Sequence, residues 1–275
     1  IAYYDASHDE RNTARLSMMH ELRHAIETDE LELFYQPKVN IEQGEITHVE
    51  ALIRWHHPKH GFMPPDDFIP LAEQTGHIIH LTKWVLNTAI QQGCAFRQAG
   101  VDIKVAINLS TKDLMNRSFI KMTEELLTQH QAQADWFVLE VTESAVMQDD
   151  KKATEVLNEL NTMGFDLSID DYGTGYSSMS YLKLLPVQEL KIDKSFILDL
   201  PNNQDDKAIV QTTIELGHRM GLTVIAEGVE DQATLDILQE MGCDMAQGYY
   251  VCRPANITTL QDWLRTSEWS PYHQS

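Results

Sequence analysis

Cysteine is scarce, with three in 275 residues: Cys94, Cys243 and Cys252. The number is odd and no pair has CxxC spacing, which argues against a disulfide framework or a thiolate zinc site and fits a reducing, cytoplasmic setting. Basic residues are also few, 21 Lys and Arg against 42 Asp and Glu, for a formal net charge of −21. A surface with that balance is unsuited to coating DNA or RNA, so no nucleic acid polymer is expected as a partner. No run approaches the ~18 consecutive apolar residues of a membrane span, and the N-terminus lacks a signal-peptide pattern, so no membrane contact is expected from this segment. Glycine and proline, 13 and 9 in number, form no linker, and there is no low-complexity stretch. What is present, 43% hydrophobic and 23% charged residues, is the composition of a globular domain and not of a disordered or collagenous chain. The first residue is Ile1 and not methionine, which raises the expectation of a longer parent protein, compatible with attachment to the inner membrane.

Residues 8–27 carry Leu16, Met19, Leu22 and Ile26 at helical spacing and read as one amphipathic helix, either a connector or an N-terminal cap. From Leu31 onward β-rich runs alternate with helical ones. The strand candidates are 31–39, 46–55, 102–109, 136–142, 165–170, 189–193, 222–228 and 244–250. Helical stretches at about 78–99, 117–130, 150–163, 205–220, 231–241 and 257–267, with a short helical turn after Tyr176, separate the later strands. Eight strands over about 245 residues predict an α/β fold, a modified (β/α)8 TIM-type barrel. Only NIEQGE lies between the first two strands, too short for a parallel crossover, so the first strand is expected to be reversed and antiparallel to its neighbour. The expected organisation is a connector over 1–29, one catalytic domain over 30–268 and a tail over 269–275.

In such a barrel, functional groups gather where the C-terminal ends of the strands form one mouth. Polar residues interrupt the apolar strands near those ends: Glu50, Asn108, Glu140, Asp170 with Asp171, Lys191, Glu227 and Gln247. Any one alone reads as an outward-facing position or a satisfied core group; so many at one end do not. Carboxylates and an amide carbonyl are hard oxygen ligands, suited to Mg²⁺ or Mn²⁺, and the set lacks His and Cys, which disfavours zinc. Adjacent Asp170 and Asp171 resist joint ionisation without a cation between them, and one carboxylate can bridge two ions in a two-metal hydrolase. Lys191 suits an attacking water or a phosphoryl oxygen. The implied reaction is metal-assisted hydrolysis of a phosphodiester.

The run Glu50-Ala51-Leu52-Ile53-Arg54 resembles the signature of the EAL domain, the phosphodiesterases that open cyclic di-GMP to linear pGpG. The resemblance extends from about Leu22 to Leu264 through YQPKV, NLS, EVTES, DDYGTGYSS, KID, EGVE, QGY and RP in that order. It implies that Glu50, Asn108, Glu140 and Asp170 surround one divalent cation, and that Asp170, Asp171 and Glu227 serve a second. The ions would be Mg²⁺ or Mn²⁺, with Ca²⁺ inhibitory. Lys191 is then poised on the attacking water and Gln247 positions water and ligands, while Gln36, Leu52, Arg54 and Asp193 meet the substrate. Gly173, Thr174 and Gly175 belong to a loop that Glu143 braces, one that contributes to a homodimer contact. Tyr172 stands where Phe is frequent in the family, and QGYYVCRP departs modestly from the commoner pattern after QGY. The opening segment is similar to the join that follows a GGDEF domain, so an upstream regulatory domain is expected.

Two other readings compete. A catalytically silent cyclic di-GMP receptor would be expected to lack metal ligands or the loop, and here every such position is filled. A two-carboxylate glycosidase would leave Asn108, Lys191 and the Asp pair without a task. Elsewhere the sequence reads as structural: His56, His57, His60, His77 and His80 in surface or loop roles, the 11 methionines as core filler, Trp84 and Trp263 as packing residues, and Cys243 and Cys252 as inert thiols.

Overall fold

The computed structural model describes residues 6–28, 30–147, 150–174 and 182–272. Its strands are β1 (Leu31–Asn40), β2 (Glu45–His57), β3 (Gly61–Met63), β4 (Lys104–Leu109), β5 (Phe137–Thr142), β6 (Asp166–Tyr172), β7 (Glu189–Ile192), β8 (Thr223–Glu227), β9 (Met245–Gln247) and β10 (Ala255–Asn256). Strands β2 and β4 to β9 run parallel, each beside the next, and β1 closes the ring by pairing antiparallel with both β2 and β9. The result is a closed eight-stranded barrel with its first strand reversed. The short β3 and β10 extend β2 and β1 at the rim. The tight β1–β2 turn is closed by a bond from Gly44 N to Asn40 O at 2.9 Å, with Gly44 at φ +67°, a conformation that favours glycine.

Side chains alternate across each strand, so each contributes one set inward and one outward. The outward set is apolar: Val105, Ile107, Leu139, Val141, Leu167, Ile169, Leu190, Ile192, Val224 and Ala226 are all buried beneath the helices. The helix Ile78–Gln98 answers with Leu81, Leu86, Ala89, Ile90 and Phe96 at helical spacing. Each such Leu or Ile contributes roughly 1.5–3 kcal/mol by leaving water, so this shell holds the fold together. The helix Gln204–Arg219 approaches the sheet closely at Gly217, where an added Cβ would lie 2.4 Å from Val224 Cγ2. The inward set is unusual for a barrel. Such interiors are ordinarily layered with Val, Ile and Leu, whereas here Gln36, Lys38, Glu50, Glu140, Ser168, Asp170, Glu189, Lys191 and Gln247 are buried.

Helix α1 (Ala6–Glu27) packs on this body through Leu22 and Ala25. A polar latch reinforces it: Glu21 accepts from His57 Nε2 at 3.0 Å and from Lys59 Nζ at 2.9 Å. His57 is therefore buried and structural, unlike the exposed His56 and His60 beside it. The helix Pro65–Thr75 has no counterpart in the sequence reading, because Pro64, Pro65 and Pro70 mask it. Pro65 is tolerated at the first helical position, where its N–H would lack a partner, and burial of Phe68, Leu71 and Ala72 outweighs the bond lost at Pro70. The tail is fastened to the barrel, since Ile46 N donates to Trp269 O at 3.0 Å and Ser270 is buried. The last barrel strand ends at Gln247, short of the anticipated 250, where the chain turns against Val229: Tyr250 N donates to Val229 O at 3.0 Å, and Gly248 lies so close to the Val229 backbone that a Cβ would collide with it. The expected helical turn after Tyr176 lies outside the described residues.

Candidate active site

Lys191, on β7, is fully buried with its ammonium at the centre of four carboxylates. Its Nζ lies 2.6 Å from Glu227, 2.8 Å from Glu140, 3.1 Å from Asp170 and 3.8 Å from Glu50. An ammonium has three N–H bonds, so the three short contacts use it fully and Glu50 adds attraction at longer range. Burial alone would push this lysine down; the surrounding acids hold it well above its ordinary value. Glu140, on β5, is gripped from both sides: Oε2 accepts from Lys191, and Oε1 from Lys38 of β1. Despite complete burial its pKa is lowered to about 2 by the two ammonium groups. Glu50 Oε1 accepts from Asn108 Nδ2 at 2.7 Å, and its Oε2 from Gln247 Nε2 at 2.6 Å. Asn108 itself is exposed at the mouth, and this bond uses its amide nitrogen and leaves its carbonyl oxygen available.

In a regular strand Asp170 and Asp171 would point to opposite faces. The β6–β7 register shifts between Ile169 and Tyr172, and Asp171 takes φ +55°, a left-handed conformation that aspartate tolerates better than most residues. This bulge turns both carboxylates toward the site. Asp171 N donates to Asp170 Oδ1 at 2.9 Å, and carboxylate oxygens of Asp170, Asp171 and Glu227 all lie within 4.8 Å of one another. Such crowding holds protons: burial, then Asp170 and Asp193, raise Asp171 to about 6. Burial raises Glu227 to about 8 against the pull of Lys191, with Asp170 and Glu50 adding to the rise. An all-oxygen set of this density suits a hard cation, so the residues fit a divalent-cation centre.

Around this nest, Gln36 Oε1 accepts from Gln247 Nε2 at 3.2 Å while its own Nε2 donates to Cys252 O at 3.1 Å. Gln247 Oε1 is buried with no protein partner among the described residues. Arg54 lies two strand residues beyond Leu52, its guanidinium 5.7 Å from the Phe34 ring and Nη1 donating to Ile53 O at 2.9 Å. It makes no ion pair among the described residues, although the charges of Glu50 and Asp66 act on it. Asp193 caps the turn Lys194–Phe196, accepting from Ser195 N at 3.0 Å, and bonds to the Asp171 carboxyl. Glu143 Oε2 accepts from Gly173 N at 3.0 Å, and Thr174 Oγ1 donates to Asp171 O at 2.9 Å, tying the loop to the bulge. Gly175 lies outside the described residues.

Three interior residues were not singled out from sequence: Lys38, Glu189 and His48. Glu189 Oε1 lies 3.4 Å from His48 Nε2, deeper in the barrel than Lys191. Burial, aided by Lys38 and Lys104, holds His48 down at about 3, so this imidazole is neutral. The available signal was strand phase, because Lys38, Glu189 and His48 each lie two residues from Gln36, Lys191 and Glu50. A second group with ligand-like side chains, Glu21, His57 and His60, is better explained as a latch. His57 Nδ1 accepts from the Lys59 and His60 backbone N–H groups, so its proton sits on Nε2 and is donated to Glu21.

Residues 19–254 match the family described as the EAL domain. The chain is 41% identical over 253 residues to the bifunctional diguanylate cyclase/cyclic di-GMP phosphodiesterase MucR of Pseudomonas aeruginosa, covering 92% of this chain and 37% of that protein. It is also 41% identical over 256 residues to the cyclic di-GMP phosphodiesterase NbdA of the same organism, covering 93% and 33%. The chain thus spans about a third of the length of these relatives. Among solved structures, the PaMucR phosphodiesterase in complex with c-di-GMP superposes with a TM-score of 0.85 at 41% identity, covering 89% of this chain and 99% of that one. The FimX EAL domain from Pseudomonas aeruginosa bound to c-di-GMP gives 0.79 at 25% identity, covering 86% and 96%.

Proposed function

This chain belongs to the EAL domain family, and on that premise we propose that it hydrolyses cyclic di-GMP to linear pGpG. The observation that carries the reading is the convergence of Glu50, Asn108, Glu140, Asp170, Asp171 and Glu227 around Lys191 in one barrel mouth. Two divalent cations, Mg²⁺ or Mn²⁺, held by Glu50, Asn108, Glu140 and Asp170 and by Asp170, Asp171 and Glu227, would supply Lewis acidity and a more acidic water. Arg54 would grip a substrate phosphate, as its planar fork of donors suits that anion. Gln36, Leu52 and Asp193 would line the substrate beside it. Lys191 would release one of its carboxylates and turn that N–H toward the attacking water, with Gln247 fixing the orientation of Glu50 and of neighbouring water. Glu143, through Gly173, would keep Asp171 in place. Ca²⁺ would bind without supporting turnover, since it prefers more ligands at longer distances.

The same reading includes a homodimer whose contact involves the loop after Asp171, an upstream regulatory domain in the parent protein, and action in the cytoplasm. The test is incubation of the purified chain with cyclic di-GMP and Mg²⁺ or Mn²⁺, followed by separation of the nucleotides. The expected product is pGpG, absent in Ca²⁺ alone and absent for Glu50→Ala, which should keep the parent's cooperative unfolding. Tight binding without product under either cation would replace hydrolysis by a silent receptor.

A further inference from the structure

Lys38 has no part in the chemistry above, yet it is fully buried and spans the barrel interior from β1 to Glu140 on β5. A buried ion pair is seldom more stable than apolar side chains of the same volume, so packing does not account for a lysine here. Its partner accounts for it better. Glu140 presents Oε2 to Lys191 and the nest, while Lys38 takes Oε1, the oxygen turned away. With Glu189 set apart below the nest, 3.4 Å from His48, the five carboxylates assigned to the cations, Glu50, Glu140, Asp170, Asp171 and Glu227, oppose when fully ionised the two ammonium groups of Lys38 and Lys191, leaving three negative charges. Two divalent cations would turn that excess into one positive charge, the complement of a phosphodiester's single negative charge. Without Lys38 the loaded site would be neutral.

We propose that Lys38 is a positioning residue that acts through Glu140, setting the charge of the site so that bound cations leave a net attraction for the substrate phosphate. The proposal rests on the reading of the nest as a divalent-cation centre. Its signature is a pair of opposed shifts. Deleting the Lys38 charge strengthens attraction for cations and weakens it for the phosphodiester, whereas loosened packing or a misplaced Glu140 weakens both.

The experiment compares the parent with Lys38→Met, which keeps the stem, and Lys38→Gln, which keeps a hydrogen-bond donor without the charge. Calorimetric titration with Mn²⁺ in the absence of nucleotide gives cation affinity, and turnover of cyclic di-GMP at saturating Mn²⁺ gives KM and kcat. Both variants should bind Mn²⁺ about 10-fold more tightly and show KM raised about 10-fold, with kcat moving less. Either variant suffices if the other fails to fold. Weakening of both affinities together, a change below about two-fold in both, or parent-like behaviour of Lys38→Gln alone overturns the proposal. A parent that binds no Mn²⁺ removes the cation centre as well. A parent that binds Mn²⁺ and turns over, alongside unshifted variants, removes only the role of Lys38.

Discussion

Replacing Glu140 by glutamine keeps the side chain's shape and removes the charge that Lys38 and Lys191 share. The two lysines are affected unequally. Lys191 keeps Glu227 at 2.6 Å and Asp170 at 3.1 Å, whereas Lys38 loses its one ion-pair partner among the described residues. Breaking a buried pair from one side costs about 3–5 kcal/mol, a large share of the ~5–15 kcal/mol that holds a domain folded. At roughly 2–4 °C per kcal/mol for a chain of this size, the midpoint should fall by about 6–20 °C. Lys38→Met in the same background removes the stranded ammonium, and replacing both members of a buried pair is often close to neutral. The double variant should therefore recover most of the loss, a coupling of about 3 kcal/mol. Thermal and urea unfolding in EDTA, followed by circular dichroism, measures all four proteins without cations. A Glu140→Gln variant within about 1 kcal/mol of the parent, or a double variant no better than the single, would refute the reasoning.

Lys191→Met should keep cyclic di-GMP binding and lose most turnover, and its four acids, left without an ammonium, should make its Tm rise more on adding Mn²⁺ than the parent's does. Equal Tm gains would show that Lys191 does not compete for the cation site. Gly173→Ala should reduce kcat several-fold for a Tm loss of only a few degrees, because φ +100° strains alanine by about 1–2 kcal/mol and its Cβ would sit 3.0 Å from Phe196. A parent-like rate would mean that the loop need not hold Asp171. Glu21→Gln should lower stability in a pH-dependent way, since Lys59 and His57 lower the Glu21 pKa from 4.5 to about 2 in the folded chain. That contribution is complete above pH 4.5 and lost as the pH falls toward 2, so the Tm gap between parent and variant should close across that interval. A gap that is constant over this range points to packing alone.

The reversed strand was legible because it follows from a count: NIEQGE is too short to cross a barrel. The nest was legible because Glu140 and Lys191 interrupt otherwise apolar strands. Lys38 and Glu189 carry the same signal, but they sit a residue pair below the mouth, where a sequence offers no reason to expect charge. The bulge was not legible at all. Both aspartates were expected at the site, but adjacent residues of a regular strand point to opposite faces, and only the φ of Asp171 reveals how the backbone brings both there. Nor was the helix Pro65–Thr75, since three prolines within seven residues argue locally against a helix that burial of Phe68 nevertheless sustains.

Reversal of β1 also decides where the barrel is approached. In a barrel of uniformly parallel strands, the segment preceding the first strand arrives at the floor, away from the loops that do chemistry. Here Leu31, the first residue of β1, pairs with Trp55 near the far end of β2, so α1 descends onto the rim beside Arg54. Glu30 is tied to the same rim, accepting from the Trp55 indole at 3.1 Å and from His56 N at 2.8 Å. A pull or twist on α1 is therefore delivered, through a few residues, to the strand that bears both Glu50 and Arg54. Direction alone makes the entrance of the chain a handle on the working end of the barrel.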